Sequence, residues 1–257
     1  MKNQVFSWVA AVLLAAVLAD PVAGEQIEDP SWPDGDAVLE KVDANAASRN
    51  KVIKASMIIH GRRGTRTLSS RGWIEGTQRS FTEFLAPARE RGTKMLKLEN
   101  QLWTFIPSTD RTIKISGHLL RQAVMGSDLS YEDLMEDPQL SALYQAETTG
   151  VDTLLERPCW ILDLASEGRD IAYSTRRIWV DQERAVILRE ERFAKSGTLL
   201  KTTEVREIRE VDGRWIAHHV VFRDILKEGG GTEFVLEEIE FDVDIPPHLF
   251  SKASLRK

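Results

Sequence analysis

Residues 98–117 read LENQLWTFIPSTDRTIKISG, and their spacing decides the fold. Two runs rich in apolar, aromatic and β-branched side chains, Leu102 to Ile106 and Arg111 to Ser116, are separated by turn chemistry at Pro107 to Asp110; a further turn at Glu99 to Gln101 precedes the first. Successive side chains of a strand point to opposite faces, so Trp103 and Phe105 share one face of their strand, and Ile113 and Ile115 share one face of theirs. Links this short join antiparallel neighbours. Parallel strands would need crossovers of about a dozen residues or more, usually helical.

The same punctuation recurs at Asp181 to Arg184, Lys195 to Gly197, Asp212-Gly213 and Gly229 to Gly231, and no helical crossover interrupts Tyr144 to Val243. Upstream, Ile53, Ala55, Met57 and Ile59 alternate with Lys54 and Ser56, although Ile58 breaks the polar face. A long antiparallel meander is predicted, with no linker between Lys51 and Pro246, hence one domain. Two segments keep a helical period instead. Val38, Leu39, Val42 and Ala46 share a helical face, with Asp34 or Asp36 as the cap and an end near Asn50. Residues 118–136 lose the alternation, place Leu119, Leu120, Ala123 and Val124 at helical spacing, offer Ser130 as a cap with Asp133 three residues on, and stop before Pro138. Two short helices inserted in a sheet must lie across one of its faces, where their apolar sides find cover.

The chain of 257 residues is 42% hydrophobic and 29% charged, an ordinary globular composition, and its formal charge of -6 argues against a nucleic-acid partner. Lys2 followed by the apolar run Val5 to Ala19 (VFSWVAAVLLAAVLA) reads as a secretory signal, too short for a spanning helix, with cleavage expected after Gly24. No cysteine stands at the cleavage site to carry a lipid anchor. The mature chain, 25–257, should therefore be free in its compartment. It begins with an acidic, proline-bearing lead-in from Glu25 to Gly35.

Signals for chemistry are few. The sequence has no P-loop or dinucleotide loop, no H-E-x-x-H and no G-x-S-x-G, and its lone Cys159 sits in a strand-like run where a buried thiol behaves as a small hydrophobe. Its histidines are His60, His118, His218, His219 and His248; the adjacent pair faces opposite sides of a strand, so no metal is expected. Ser127 with Asp128 and the distant His118 is the nearest thing to a nucleophile beside a base. Arg62, Arg63 and Arg66, flanking Gly61 and Gly64, read as a solvated turn rather than a headgroup-binding patch. What remains is apolar strand surface: Trp103, Phe105, Ile113 and Ile115, with Trp73, Phe81 and Met95 in neighbouring strands. Periodicity alone favours an ordinary sheet core under helices over a ligand cavity.

Three stretches in order, FLAPARERGTKML (84–96), LENQLWTFIPSTDRTIKISG (98–117) and MGSDLSYEDL (125–134), resemble the outer-membrane lipoprotein-sorting family related to LolA, a likeness running from about Asp34 to Leu255 and ending in FDVDIPPHLF. The resemblance implies an unclosed antiparallel β-barrel, mainly β with few helices, covered by the N-terminal helix and a short helical lid at 118–136. It implies a periplasmic carrier, not an enzyme and without cofactor, that holds acyl chains of lipoproteins or lipids in an apolar cavity and moves them toward the outer membrane. The cavity residues expected on this basis are Trp73, Phe81, Met95, Trp103, Phe105, Ile113 and Ile115, with Leu119, Leu120 and Met125 from the lid. Partners implied are acylated lipoprotein or lipid cargo and an inner-membrane exporter of RND or ABC type, the carrier itself being monomeric. In LolA proper an arginine in a Lys-Arg-Pro stretch holds the lid; here the corresponding place reads GWIEGTQRSF, with Arg79 shifted, so that role is not carried over. The PSTDRT of Pro107 to Thr112 and the GSD of Gly126 to Asp128 resemble a subfamily rather than LolA proper, and that resemblance implies association with RND-type exporters as well as with lipoprotein traffic, with another lipid as the alternative cargo. The alternative is a sensing domain of an envelope-stress regulator, against which counts the short stretch, Pro246 to Lys257, that follows the last strand.

Overall fold

Alternating side chains and closely spaced turns produce, among the described residues, one antiparallel sheet of thirteen strands together with two α-helices. The computed structural model describes residues 31–62, 64–136, 138–166 and 171–256. The expected signal peptide and cleavage site, most of the lead-in and Arg63 lie outside the described residues. Helix α1 (Gly35–Ala46) precedes β1 (Asn50–Gly61), β2 (Gly64–Glu75), β3 (Arg79–Ala86), β4 (Lys94–Leu98), β5 (Gln101–Ile106) and β6 (Arg111–Ile115). After α2 (Tyr131–Met135) come β7 (Gln145–Leu154), β8 (Arg157–Ala165), β9 (Thr175–Asp181), β10 (Ile187–Phe193), β11 (Leu199–Val211), β12 (Arg214–Asp224) and β13 (Gly229–Phe241). Their spatial order is β6-β5-β4-β3-β2-β1-β13-β12-β11-β10-β9-β8-β7. Two meanders thus meet where β1 pairs with β13, from Lys51 opposite Phe241 to Gly61 opposite Gly229. The sheet is not closed: β6 and β7 are its edges, and residues 116–144 join one edge to the other.

The expected helix α1 forms with Asp34 as its cap and ends at Ala46, four residues short of Asn50, because Asn50 already pairs with Glu75 in the β1–β2 ladder. Its buried stripe is Val38, Leu39 and Val42, while Ala46 is exposed. The stripe packs on Leu162, Leu164, Ile178 and Val180 of β8 and β9. Gly35 lets the helix start hard against β7, since a Cβ there would lie 2.3 Å from the Ala146 carbonyl oxygen. Asp36 accepts from the Ala146 amide (2.7 Å), and Asp43 accepts from the amides of Leu140 and Ser141 (3.1 and 2.9 Å).

The turns at 99–101, 107–110, 181–184, 195–197 and 212–213 fall between strands as expected. The reading of Gly229 to Gly231 as a turn is corrected. These glycines begin β13, and the chain reverses at 225–228. Glycine is needed there because the ladder is irregular: Gly231 has φ of 92°, and a Cβ on it would lie 2.9 Å from the Phe222 carbonyl oxygen.

Candidate functional site

The segment 116–144 is too polar to be a core element and too apolar to be a solvated loop, and its path explains both halves. It folds as a 3-10 turn (Gly117–Arg121), a second at Val124–Gly126 and then α2, capped by Ser130 and Asp133 in a reciprocal capping box. The expected two short helices are therefore a 3-10 helix and one turn of α-helix. An isolated bridge, Ala123 to Ser130, closes the segment on itself. Its apolar side chains Leu119, Leu120, Val124, Met125 and Leu129 pack on Met57, Leu68, Phe84, Met95, Leu102 and Ile115 of the first meander.

Its polar side chains fasten it to the second meander. The Asp128 carboxylate accepts from the Thr232 hydroxyl (2.6 Å) and the Asp224 amide (3.1 Å), and the Lys227 ammonium donates to the Ser127 carbonyl (2.7 Å). Arg66 donates to the Met125 carbonyl from the first meander. Further along, a buried network receives α2. The Asp133 carboxylate accepts from Lys201, from the Tyr173 hydroxyl (2.6 Å) and from Arg192 (3.3 Å). Arg176, only 2% exposed, bridges Glu136 of the insert to Glu190 of β10 (2.5 Å) and donates to the Tyr144 hydroxyl (2.8 Å); Arg192 also pairs with Glu190 (2.8 Å). Burial alone would raise the carboxyls of Asp133 and Glu190. The cations beside them overcome it and hold each at about 2, so both stay ionised at neutral pH.

Between the insert and the sheet lies an apolar cavity of about 350 Å³, within the roughly 300–1,000 Å³ usual for small-molecule sites. Ile53, Met57, Phe84, Met95 and Leu102 supply its sheet wall; Val124, Leu129 and Leu134 supply its cover. Gly72 and Ser70 in β2 leave the floor open where larger residues would fill it. Lys51 and Lys97 bring two cations to the lining, the Lys97 ammonium donating to the Thr77 carbonyl (3.1 Å). A wider, more open depression of about 620 Å³ beside β7 is lined by Ala146, Leu164, Ala165 and Phe193 together with the charged Asp36, Glu147, Asp163, Arg176 and Arg177, so ionic groups are interspersed with its apolar surface.

The ten residues expected to line the cavity do not share one face, which corrects that expectation. Met95 lines the cavity, while Ile115, Leu119, Leu120 and Met125 belong to the same apolar cluster. Ile113 lies on that face but is 37% exposed on the edge strand β6. Trp73, Phe81, Trp103 and Phe105 lie on the opposite face. Register decides it: Trp73 pairs with Phe81, Phe81 with Leu96 and Leu96 with Trp103, one row away from Gly72, Thr82, Met95 and Thr104, positions that face the other way. The aromatic row is an ordinary core, roofed by Phe250 and Leu255 of the C-terminal segment 247–256. The residues of the candidate site that sequence reading missed are Ile53, Gly72, Phe84 and Leu102 of the cavity wall and the Asp133–Arg176–Glu190–Arg192 network. Leu102 was recoverable in principle, since it sits two residues before Thr104, the cross-strand partner of Met95.

The other sequence candidates have structural occupations. The Ser127 hydroxyl donates to the Leu129 carbonyl and accepts from the Leu129 amide. Cys159 is fully buried, which pushes its thiol up to about 11. Glu233 accepts from His60 and His219 at 2.6 and 2.7 Å across neighbouring strands.

A family model described as "Uncharacterized protein" matches residues 76–257. No curated protein matches the sequence. Among solved structures, a domain from Vibrio parahaemolyticus named for outer membrane lipoprotein sorting superposes with a TM-score of 0.76 at 20% identity, over 87% of this chain and 98% of that one. A DUF1329 family protein from Desulfovibrio piger gives 0.79 at 22%, over 86% and 97%. A LolA superfamily protein from Nitrosomonas europaea gives 0.71 at 20%, over 87% and 100%. At these identities the likeness establishes the fold, which is LolA-like, as the resemblance implied.

Proposed function

We propose that this chain, which belongs to the family whose model matches residues 76–257 and has the LolA-like fold, is a carrier that shelters the acyl chains of a lipid or lipoprotein between its sheet and the 116–144 insert. The single observation that carries the reading is the apolar cavity of about 350 Å³ under that insert. Each methylene removed from water is worth roughly 0.8 kcal/mol, so about ten buried methylenes give a gross ~8 kcal/mol. Association and ordering costs of about 4–15 kcal/mol consume much of that. A carrier that must also release its cargo is suited by so narrow a margin. In this reading the protein acts in the periplasm after signal cleavage, as a monomer without catalytic role, and passes cargo outward from an inner-membrane exporter of RND or ABC type. The insert serves as the mobile cover, and the whole of 25–257 works as one domain.

Binding of a fluorescent fatty-acyl probe tests the reading. The wild-type protein should bind, and Ser70→Trp, which places a large ring on the cavity floor, should lower affinity at least tenfold while circular dichroism stays unchanged. Failure of the wild type to bind, or equal affinity in a folded Ser70→Trp variant, would overturn it.

A further inference from the structure

Two lysines three residues apart on β1 are treated in opposite ways. Lys54 is exposed and lies 3.3 Å from each of two carboxylates, Glu237 and Glu238, which raise its pKa. Lys51 is half-buried on the other side of the sheet, and among the described residues no hydrogen bond or ion pair reaches its ammonium. It lines the 350 Å³ cavity and also the smaller one, about 240 Å³, enclosed by α1, β10, β12 and β13, so it stands at the junction of the two apolar spaces. The charge that acts on it is another cation, Arg214.

The carboxylates in the neighbourhood are committed elsewhere. Glu136, the acidic group of the larger cavity, pairs with Arg176. Asp242 accepts from the Arg49 amide at 2.9 Å and pairs with Arg214 at 3.1 Å. Among the described residues, none that lines the smaller cavity is acidic. Burial first, and then Arg214, push the Lys51 pKa down, the expected response of an ammonium taken from water without a counter-charge. A charge held in apolar surroundings without a partner is unfavourable for folding, and a methionine would fill the same space without that cost. The position makes physical sense when the partner arrives with the ligand.

We infer that the cargo is an amphiphile with an anionic head, a carboxylate or a phosphate, and that Lys51 receives that head while the acyl chain lies in the apolar space beside it. The inference rests on the carrier reading and adds the class of head group to it. Lys97 does not compete for the role, since its ammonium already donates to the Thr77 carbonyl. Lys51 would supply what the acyl chain alone lacks, a contact that fixes which end of the ligand enters and discriminates against neutral lipids of the same length.

Competition against a fluorescent acyl probe, with the full secreted chain, decides the matter. Laurate is compared with dodecanol, and lysophosphatidylglycerol with lysophosphatidylcholine, so that a carboxylate head and a phosphodiester head are tested separately against uncharged or zwitterionic partners. The wild type should prefer the anionic member of at least one pair by tenfold or more; the pair that shows the larger preference identifies the head. Lys51→Met should abolish that preference and Lys51→Arg should keep it, with circular dichroism unchanged in both. Equal affinities within both pairs for the wild type, or a preference that survives in Lys51→Met, would overturn the assignment and leave the carrier reading standing. If no acyl compound binds the wild type, the carrier reading fails and the head-group assignment falls with it.

Discussion

Neutralising Asp133 should release the cover from the sheet without unfolding the sheet. Its carboxylate is 3% exposed and receives Lys201, Arg192, the Tyr173 hydroxyl and both the amide (2.6 Å) and hydroxyl (2.7 Å) of Ser130. Asp133→Asn keeps the shape and an acceptor for Tyr173 but leaves the Lys201 ammonium without its carboxylate. Removing one member of a buried pair costs about 3–5 kcal/mol. Arg192 keeps Glu190 at 2.8 Å, which places the expected loss near the lower end, about 3 kcal/mol. Because Asp133 belongs to a segment held by polar contacts at a few points, the loss should appear as local opening. At about 1.4 kcal/mol per decade, amide exchange in α2 should rise roughly a hundredfold. Amides of β1 and β13, which open only with the whole sheet, should accelerate less. Native-state hydrogen exchange with peptide-level readout measures both, and Lys201→Met combined with Asp133→Asn should restore part of the protection because no orphan charge is then buried. Unchanged exchange in residues 131–136 of the single variant would refute the claim that this network fastens the cover.

The same carboxyls predict the response to acid. Asp133 and Glu190 are held at about 2, below their ordinary 3.8 and 4.5, so their contribution to stability is full above about pH 4.5 and is lost as pH falls toward 2; urea midpoints stepped across that range should fall, and a flat profile would contradict the network. Phe250→Ala, on the face opposite the cavity, should cost about 3 kcal/mol of stability by stripping the cover from Trp103 and Phe105, yet leave acyl-probe affinity unchanged. Urea unfolding and probe titration on one preparation separate the two effects. N-terminal sequencing of the protein recovered from the periplasm of its host should begin at Glu25, whereas an intact Met1 form in the membrane pellet would refute secretion.

Much of the architecture was legible because it depends on local rules. Alternation in Ile53 to Ile59, the turns after β4 and β5, the Asp34 cap and the Ser130–Asp133 capping box each need only a few neighbouring residues, and each is present. The site was less legible because it depends on register between strands. Trp103 and Met95 are both apolar strand residues, and nothing within either strand says that Leu96, rather than Met95, stands opposite Trp103. A shift of one residue exchanges the faces, which is why the aromatic row was expected in the cavity and lies under Phe250 and Leu255 instead. The ionic network was hidden for a related reason. Arg176 stands in an Arg-Arg pair at 176–177 and Glu190 and Arg192 in the charged run 189–192, where the sequence does not mark which members turn inward, and their carboxylate partners Glu136 and Asp133 come across the sheet from some 40 to 60 residues away.

Topology limits how the cavity can open. The cover is tethered at both ends, leaving the sheet at β6 and rejoining it at β7, the two edges that do not pair with each other. It cannot swing away as a flap hinged at one end. The apolar contacts of Leu119, Leu120 and Met125 hold it to the first meander, and the hydrogen bonds of Asp128 with the ionic contacts of Asp133 and Glu136 hold it to the second. The two attachments differ in what can replace them. Acyl chains can take over the apolar contacts at little cost, since one hydrocarbon surface exchanges for another. The ionic contacts have no such substitute in hydrocarbon, and withdrawing Asp133 and Glu136 would leave Arg176, Arg192 and Lys201 facing Glu190 alone. Loading should therefore part the cover from the first meander and leave it fastened to the second. On addition of an acyl ligand, hydrogen exchange should change in 117–126 and stay constant in 131–136. Equal changes in both halves would mean that the cover moves as one piece and that the ionic network breaks during loading.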